Sequence, residues 1–242
     1  MNSQNGKLYG IGVGPGDPEL IPLKAVRILS RVDVVFAASS SKNDYSLAVS
    51  IAQHHIPQGT PIMILPFPMT KDDSELRQAW RDHARVIISH VKEGKQAAFI
   101  TLGDPTTYST YGYILKNILE FAPDLDIETV PGITSYQACA ARLNTPLVEG
   151  EESLLVMSGV KGGDQLRQIS PKPENVVFLK AYRNAADITT ALEEADLLEN
   201  SIGVSCCGLV NEEIIRDVRA FKERKPGYWT IIIAKQREDH TR

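Results

Sequence analysis

Three glycine-bearing segments each follow an apolar run of strand length: Gly14-Pro15-Gly16-Asp17, Gly103-Asp104-Pro105-Thr106-Thr107-Tyr108 and Gly132-Ile133-Thr134-Ser135. Small and hydroxylated residues at the carboxyl ends of buried strands are where open α/β sheets bind ligands. Turn chemistry alone also accounts for a Gly-Asp-Pro triplet. Such loops offer backbone amides and hydroxyls but no strong nucleophile, so they suit a ligand whose reactivity is built in.

Other chemistries find little support. The dinucleotide fingerprint needs glycine at its first, third and sixth positions. Counted from Gly10 the sixth residue is Pro15, and counted from Gly12 it is Asp17, whose charge would repel a pyrophosphate. No Gly-Lys-Ser or Gly-Lys-Thr supplies a phosphate loop, and no Gly-x-Ser-x-Gly elbow surrounds a serine. His54 and His55 are adjacent and project from different sides of a helix. Cys139, Cys206 and Cys207 fit neither a disulfide framework nor a zinc spacing, and the Cys206-Cys207 pair reads as buried packing. Glu149, Glu151 and Glu152 read as a solvated loop. No metal site is expected.

The elements that would hold these loops follow from periodicity. Strands are expected at Leu8–Val13, Val32–Ala37, Pro61–Leu65 and Gln96–Leu102, with helices at Leu23–Leu29, Tyr45–His54, Glu75–Lys92 and from Tyr113 to near Phe121. Ser74 is the expected cap of the long helix, with neighbouring acids at its positive end. This alternation argues for a mainly parallel sheet covered on both faces. Further strands are expected at Ile127–Val130, Ser153–Ser158, Asn175–Leu179, Ser201–Cys206, Glu213–Val218 and Tyr228–Lys235, with helices at Ser135–Arg142, Asp164–Ile169 and Ala185–Glu194. The run of strands at the end suggests a mixed sheet. The fold class is therefore α/β, with two α/β domains spanning 1–125 and 126–242.

The 242 residues are 43% hydrophobic and 23% charged, an ordinary globular balance. A net charge of −4 and the lack of a basic run argue against a nucleic-acid partner. No apolar run approaches the roughly 18 residues that cross a membrane, and the start Met1-Asn2-Ser3-Gln4-Asn5 does not read as a signal peptide. A cytoplasmic, reduced protein is expected.

Taken in order, the motifs resemble those of the tetrapyrrole methylases. The matching segments are Gly10-Ile11-Gly12-Val13-Gly14-Pro15-Gly16-Asp17-Pro18-Glu19-Leu20-Ile21-Pro22-Leu23-Lys24-Ala25, Leu102-Gly103-Asp104-Pro105 with Tyr108, and Val130-Pro131-Gly132-Ile133-Thr134-Ser135. Phe67-Pro68-Met69-Thr70, Tyr108-Ser109-Thr110-Tyr111 and Pro146-Leu147-Val148-Glu149-Gly150-Glu151-Glu152 resemble the branch that methylates carbon 20 of the corrin precursor.

The resemblance implies a homodimer of two-domain subunits, with S-adenosylmethionine bound in the cleft between domains and S-adenosylhomocysteine as product. It implies methyl transfer to precorrin-2 or its cobalt-containing counterpart on the way to cobalamin. Cofactor contacts are implied at Ile21, Gly103, Asp104, Thr106, Thr107, Thr134, Ser135 and Lys180. Substrate contacts are implied at Pro15, Gly16, Asp17 and Tyr108. Pro22 replaces the usual threonine and Lys180 replaces an apolar residue. Asp104 could serve as the catalytic base, although capping its own turn is the simpler role.

A polycarboxylated substrate needs a basic rim. Lys42, Arg77, Arg81, Arg85, Lys161 and Arg183 are available, and Arg77, Arg81 and Arg85 share one face of the long helix. Competing readings are methylation of another ring carbon or another acceptor by the same fold, and a nucleotide-like ligand-binding module without chemistry.

Overall fold

The computed structural model of the chain describes residues 6–40 and 46–236. Lys42, the first residue of the helix expected from Tyr45, and the N-terminal Met1 to Asn5 lie outside them. The chain divides into two compact units, Met1–Thr134 and Ser135–Arg242.

The first unit alternates β1 (Lys7–Gly12), α1 (Leu23–Leu29), β2 (Val34–Ser40), α2 (Leu47–Ala52), β3 (Ile62–Phe67), α3 (Asp73–Lys92), β4 (Gln96–Thr101), α4 (Thr110–Phe121) and β5 (Ile127–Val130). The strands form one parallel sheet in the order β3-β2-β4-β1-β5. Side chains alternate across it, and both faces are covered. Leu8, Phe36 and Phe99 pack under Ile87 of α3 and Ile114 of α4. Ile11, Val35 and Ile100 point the other way, against Leu29 of α1 and Ile51 of α2. Burial on both faces is why these strands read as nearly unbroken apolar runs.

Three local expectations change. The first unit extends past residue 125 to Thr134 because β5 pairs with β1 along Leu8 to Ile11. Strand β3 runs through Pro66, where the proline suggested a stop; β3 is an edge strand, where a missing N–H costs no ladder bond. Asp72, not Ser74, caps α3: its Oδ1 accepts from the amides of Ser74 at 2.8 Å and Glu75 at 3.4 Å.

The second unit contains α5 (Ser135–Leu143), β6 (Leu154–Ser158), α6 (Asp164–Gln168), β7 (Asn175–Leu179), α7 (Ala185–Glu194), β8 (Ser201–Ser205), β9 (Glu213–Ile215) and β10 (Thr230–Lys235). Its sheet is mixed, in the order β6-β7-β10-β8-β9, with β6 and β7 parallel and the remaining pairs antiparallel. β9 stops at Ile215 rather than Val218. The Asp217 side chain accepts from the Arg219 amide at 3.0 Å and starts a tight turn that buries Val218 and Phe221. Among the described residues, no helix is long and apolar enough to cross a membrane.

Candidate functional site

Because β1 lies between β4 and β5, the three glycine loops leave the sheet side by side. They are also bonded together. The Gly103 amide donates to the Gly14 carbonyl at 2.7 Å, and the Gly14 amide donates back at 3.3 Å. The Gly132 amide donates to Asp104 Oδ2 at 3.0 Å. A Cβ on Gly12 would stand 2.5 Å from the Gly103 carbonyl oxygen and 2.7 Å from the Gly132 nitrogen, and a Cβ on Gly132 would run into that same carbonyl. These glycines permit backbone to approach backbone. Gly103 differs: its φ of +71° calls for glycine, but a Cβ there would meet open space beyond one carbonyl at 3.8 Å.

Asp104 is the joint of the assembly. Its Oδ1 accepts from the Thr106 amide at 2.8 Å, the Thr106 hydroxyl at 2.5 Å and the Thr107 hydroxyl at 3.4 Å. Burial pushes the Asp104 carboxyl up. The Thr106 hydroxyl, the Gly132 and Thr106 amides and the Thr107 hydroxyl outweigh it, so the pKa falls below the usual aspartate value. A carboxylate with these donors is a structural anion and a weak base. Just beyond the turn, Tyr108 adopts a φ of +50°, an uncommon conformation for a residue with a side chain. Ser109 then caps α4, accepting from the Tyr111 amide at 3.1 Å while its hydroxyl meets that of Thr101 at 2.8 Å.

The remaining expected residues divide into groups. Pro15 and Gly16 are buried, so the surface of that loop belongs to Asp17, which accepts from the Glu19 amide at 2.9 Å. Ile21 packs against the core that contains Ile11 and Val13. Thr134 is buried, whereas Thr106 and Tyr108 are exposed and Thr107 is half-buried. Ser135 opens α5, and Lys180 follows β7 with a left-handed φ of +56°. Lys180 is exposed as a whole residue, yet desolvation around its amine lowers the pKa from the ordinary lysine value.

The arginine face of α3 is not brought to the loops as a group. Arg81 and Arg85 lie over the ring of Phe121, at 5.1 and 5.4 Å, and Arg81 pairs with Glu120 at 3.4 Å. Phe121 ends α4, and Thr110 at its start adjoins the Gly103 turn. A helix of 12 residues spans about 18 Å, so those two guanidiniums sit at the far end. Arg77 is nearer the loops, since Trp80 stacks on Tyr113 at 4.2 Å one turn into α4.

Sequence reasoning missed Gly12 and Ser109. The Gly10-Ile11-Gly12 spacing was the available signal; it fails as a nucleotide fingerprint, and its purpose shows only in the close approach of Gly12 to Gly103 and Gly132. A hydroxyl just before a helix is the ordinary cap signal for Ser109.

The loops' chemistry discriminates between ligands. Asp17 and Asp104 are their only charged side chains, which disfavours phosphate and is compatible with a sulfonium cation such as that of S-adenosylmethionine. Hydroxyls of Thr106, Thr107 and Thr134 and the open space over Gly103 fit a polar organic cofactor. Among the described residues no cluster of histidine, cysteine or acidic side chains could hold a metal ion.

Comparison with known proteins agrees with this chemistry. Residues 7–220 match the profile of the Tetrapyrrole (Corrin/Porphyrin) Methylases. The chain is 35% identical over 236 residues to the cobalt-precorrin-2 C(20)-methyltransferase of Salmonella typhimurium, covering 97% of this chain and 98% of that one. It is 38% identical to a probable cobalt-precorrin-2 C(20)-methyltransferase of Methanocaldococcus jannaschii over 180 residues, 74% of each chain. The solved structure of a cobalt precorrin-4 methyltransferase has the same fold, with a TM-score of 0.70 at 22% identity and 97% coverage of both chains. A uroporphyrin-III C-methyl transferase from Thermus thermophilus, solved with S-adenosylhomocysteine, matches with a TM-score of 0.69 at 22% identity over 94% of this chain and 92% of that one. The profile match and the near full-length similarity, together with the three joined loops, place this chain in the tetrapyrrole methylase family.

Proposed function

We propose that this protein transfers the methyl group of S-adenosylmethionine to carbon 20 of precorrin-2, in its cobalt-containing form, on the route to cobalamin. The observation that carries the carbon-20 assignment is the near full-length similarity to the Salmonella enzyme of that name. The cobalt form is favoured because relatives at 35% and 38% identity are named for it, against 30% for the precorrin-2 C(20)-methyltransferase of a Sinorhizobium.

When bound, S-adenosylmethionine would supply an already activated methyl group, and the electron-rich macrocycle is already a carbon nucleophile. The protein's part is therefore alignment, and orientation alone can lower a barrier by several kcal/mol. In the first unit we assign cofactor contacts to the Gly103 backbone and to Thr106, Thr107 and Thr134. Ser135 and Lys180 are the second unit's proposed contacts. Asp104 holds the second and third loops together instead of removing the proton from carbon 20, because its donors and low pKa make it a poor base.

The deciding experiment incubates the protein with labelled S-adenosylmethionine and with precorrin-2 or its cobalt form, followed by mass spectrometry. A gain of one methyl group, located at carbon 20 by NMR, is expected with the cobalt form. No gain with either substrate would defeat the proposal, and a methyl at another carbon would move the assignment within the family. The family resemblance further suggests a cytoplasmic homodimer; light scattering should then give twice the mass of the 242-residue chain.

A further inference from the structure

Two of the cysteines meet in the second unit, and no step above uses them. Cys139 lies on α5 and is fully buried, while Cys207 follows β8 and is half-buried. Both belong to the apolar cluster that contains Val177, Val204 and Ile231. Cys206 is not a member of that cluster. Its backbone is left-handed, with a φ of +53°, and its amide donates to the Trp229 carbonyl at 3.1 Å, which keeps it on the sheet. The next thiol along, that of Cys207, hydrogen-bonds the thiol of Cys139.

An ion pair clamps the same two segments. Arg142, one turn beyond Cys139 on α5, donates to Glu212 Oε1 at 2.6 Å. The other Glu212 oxygen accepts from the amide of Gly208, the residue after Cys207, at 2.9 Å. The loop is also closed on itself: the Leu209 amide donates to the Cys206 carbonyl at 2.9 Å, and the Glu212 amide donates to the Leu209 carbonyl at 3.0 Å. The segment from Cys206 to Glu212 is therefore joined to α5 through a carboxylate and through a pair of thiols.

Their surroundings set the two thiols apart. Cys139 donates to Cys207, and that bond lowers the Cys207 pKa, opposed by burial and by Glu212 and aided by the Arg142 charge. The same bond, with burial next, pushes Cys139 up. The half-buried thiol is thus the readier nucleophile, and the buried one stands behind it as a resolving partner.

Two thiols in contact, one of them within reach of small solutes, fit a dithiol–disulfide couple. We propose that a hydroperoxide converts Cys139 and Cys207 reversibly into a disulfide that fastens the Cys206–Glu212 loop to α5. The Cys207 thiolate attacks a peroxide oxygen; an S–O bond forms as the O–O bond breaks, and the alcohol or water leaves with a proton from solvent. The Cys139 thiol then attacks that sulfur, the S–O bond breaks, and water leaves with the Cys139 proton. Two thiols and one hydroperoxide give one disulfide, one alcohol or water, and one further water. A dithiol reductant reverses the change by exchange.

Peptide mapping of the full chain tests this, after the reduced protein has been treated with near-equimolar hydrogen peroxide and digested without reductant. Cys206 and Cys207 share one tryptic peptide, so Cys206→Ser, Cys207→Ser and Cys139→Ser are compared with wild type. Wild type and Cys206→Ser should lose the mass of two hydrogens and yield a linked peptide pair holding Cys139 and Cys207. Dithiothreitol should reverse both changes. Hydrogen exchange at the Gly208 and Glu212 amides should slow at least about threefold in the oxidised protein. The other two variants should yield no link. If Cys139→Ser misfolds by circular dichroism, Cys207→Ser, altered at the half-buried thiol, carries the comparison. A Cys206–Cys207 bond in wild type would overturn the proposal, as would oxidation of Cys207 to sulfinic acid without a link, or a link that forms only in denaturant. Unchanged hydrogen exchange in the linked protein would also overturn it. No readout involves methyl transfer, so the outcome is independent of the tetrapyrrole reading.

Discussion

The two units gather different materials at one end of each sheet. In the first unit the loops after β1, β4 and β5 are joined through glycines and one carboxylate that is fully engaged. In the second unit the segments after β6 and β7 and before β10 present the rings of Tyr182, Tyr228 and Trp229 beside exposed cations. The first end is specified by how closely backbones approach one another, and the second packs its glycines against side chains as well, since a Cβ on Gly159 would stand 2.7 Å from Ile188. Substitutions should therefore behave differently at the two ends. Adding a single methyl group at Gly12 or Gly132 should damage the first by forcing backbone from backbone.

The largest expected effect is at Gly132→Ala, whose new Cβ would collide with the Gly103 carbonyl oxygen. Overpacking of this kind costs about 1–3 kcal/mol, and backbone on both sides leaves little room to relax. S-adenosylhomocysteine affinity measured by calorimetry should fall at least about 30-fold, with a lower melting temperature. Gly103→Ala adds its Cβ to open space and suffers only from its positive φ, at about 1 kcal/mol. A Gly103 variant more damaged than the Gly132 variant would show that backbone contact is not what holds this end together.

Asp104→Asn should come next. It leaves an acceptor for Thr106 but replaces the oxygen that receives the Gly132 amide, or the reverse if the amide flips. Cofactor affinity should drop about tenfold while kcat at saturating cofactor stays close to wild type. A fall in kcat alone would instead make Asp104 the base. Its pH signature has a definite sign. A carboxyl whose folded pKa is depressed stabilises the fold above its unfolded value, about 3.9, and that stabilisation is lost as pH falls through the lower folded value. Between about pH 6 and about pH 3 the wild type should lose more of its melting temperature than the Asn variant.

The smallest effect should come from Arg81→Glu with Arg85→Glu. These side chains meet Phe121 and Glu120 at the far end of α4, so the tetrapyrrole KM should stay within about twofold of wild type. Thermal melting should record a small loss, as expected for exposed ion pairs. A large rise in KM would return the substrate rim to α3 and sharpen the contrast between the units the other way.

Much of this was legible beforehand because it is local. Alternation of strand and helix follows from apolar spacing, and Gly103-Asp104-Pro105 announces a turn through its torsional preferences. The errors were local competitions that only neighbours resolve. Pro66 was compatible with a strand because β3 is at the edge, and α3 begins two residues earlier than a Ser74 cap allows because the Asp72 carboxylate accepts from the Ser74 and Glu75 amides. The face of α3 bearing Arg77, Arg81 and Arg85 was correctly a single face, but the spacing of a helix says nothing about which end of its neighbour it meets.

The amino-acid sequence by itself therefore determined the α/β class, the two kinds of sheet and three loops ready to bind a ligand. Only the tertiary structure decided that these loops are one object. Strand order puts β1 between β4 and β5, which lets Asp104 reach the Gly132 amide 28 residues away. It also brought Tyr182 to Tyr228 across the β7–β10 pairing. The physical reason is common to both: torsion and burial preferences act over a few residues, whereas contacts between distant segments depend on which strands become neighbours.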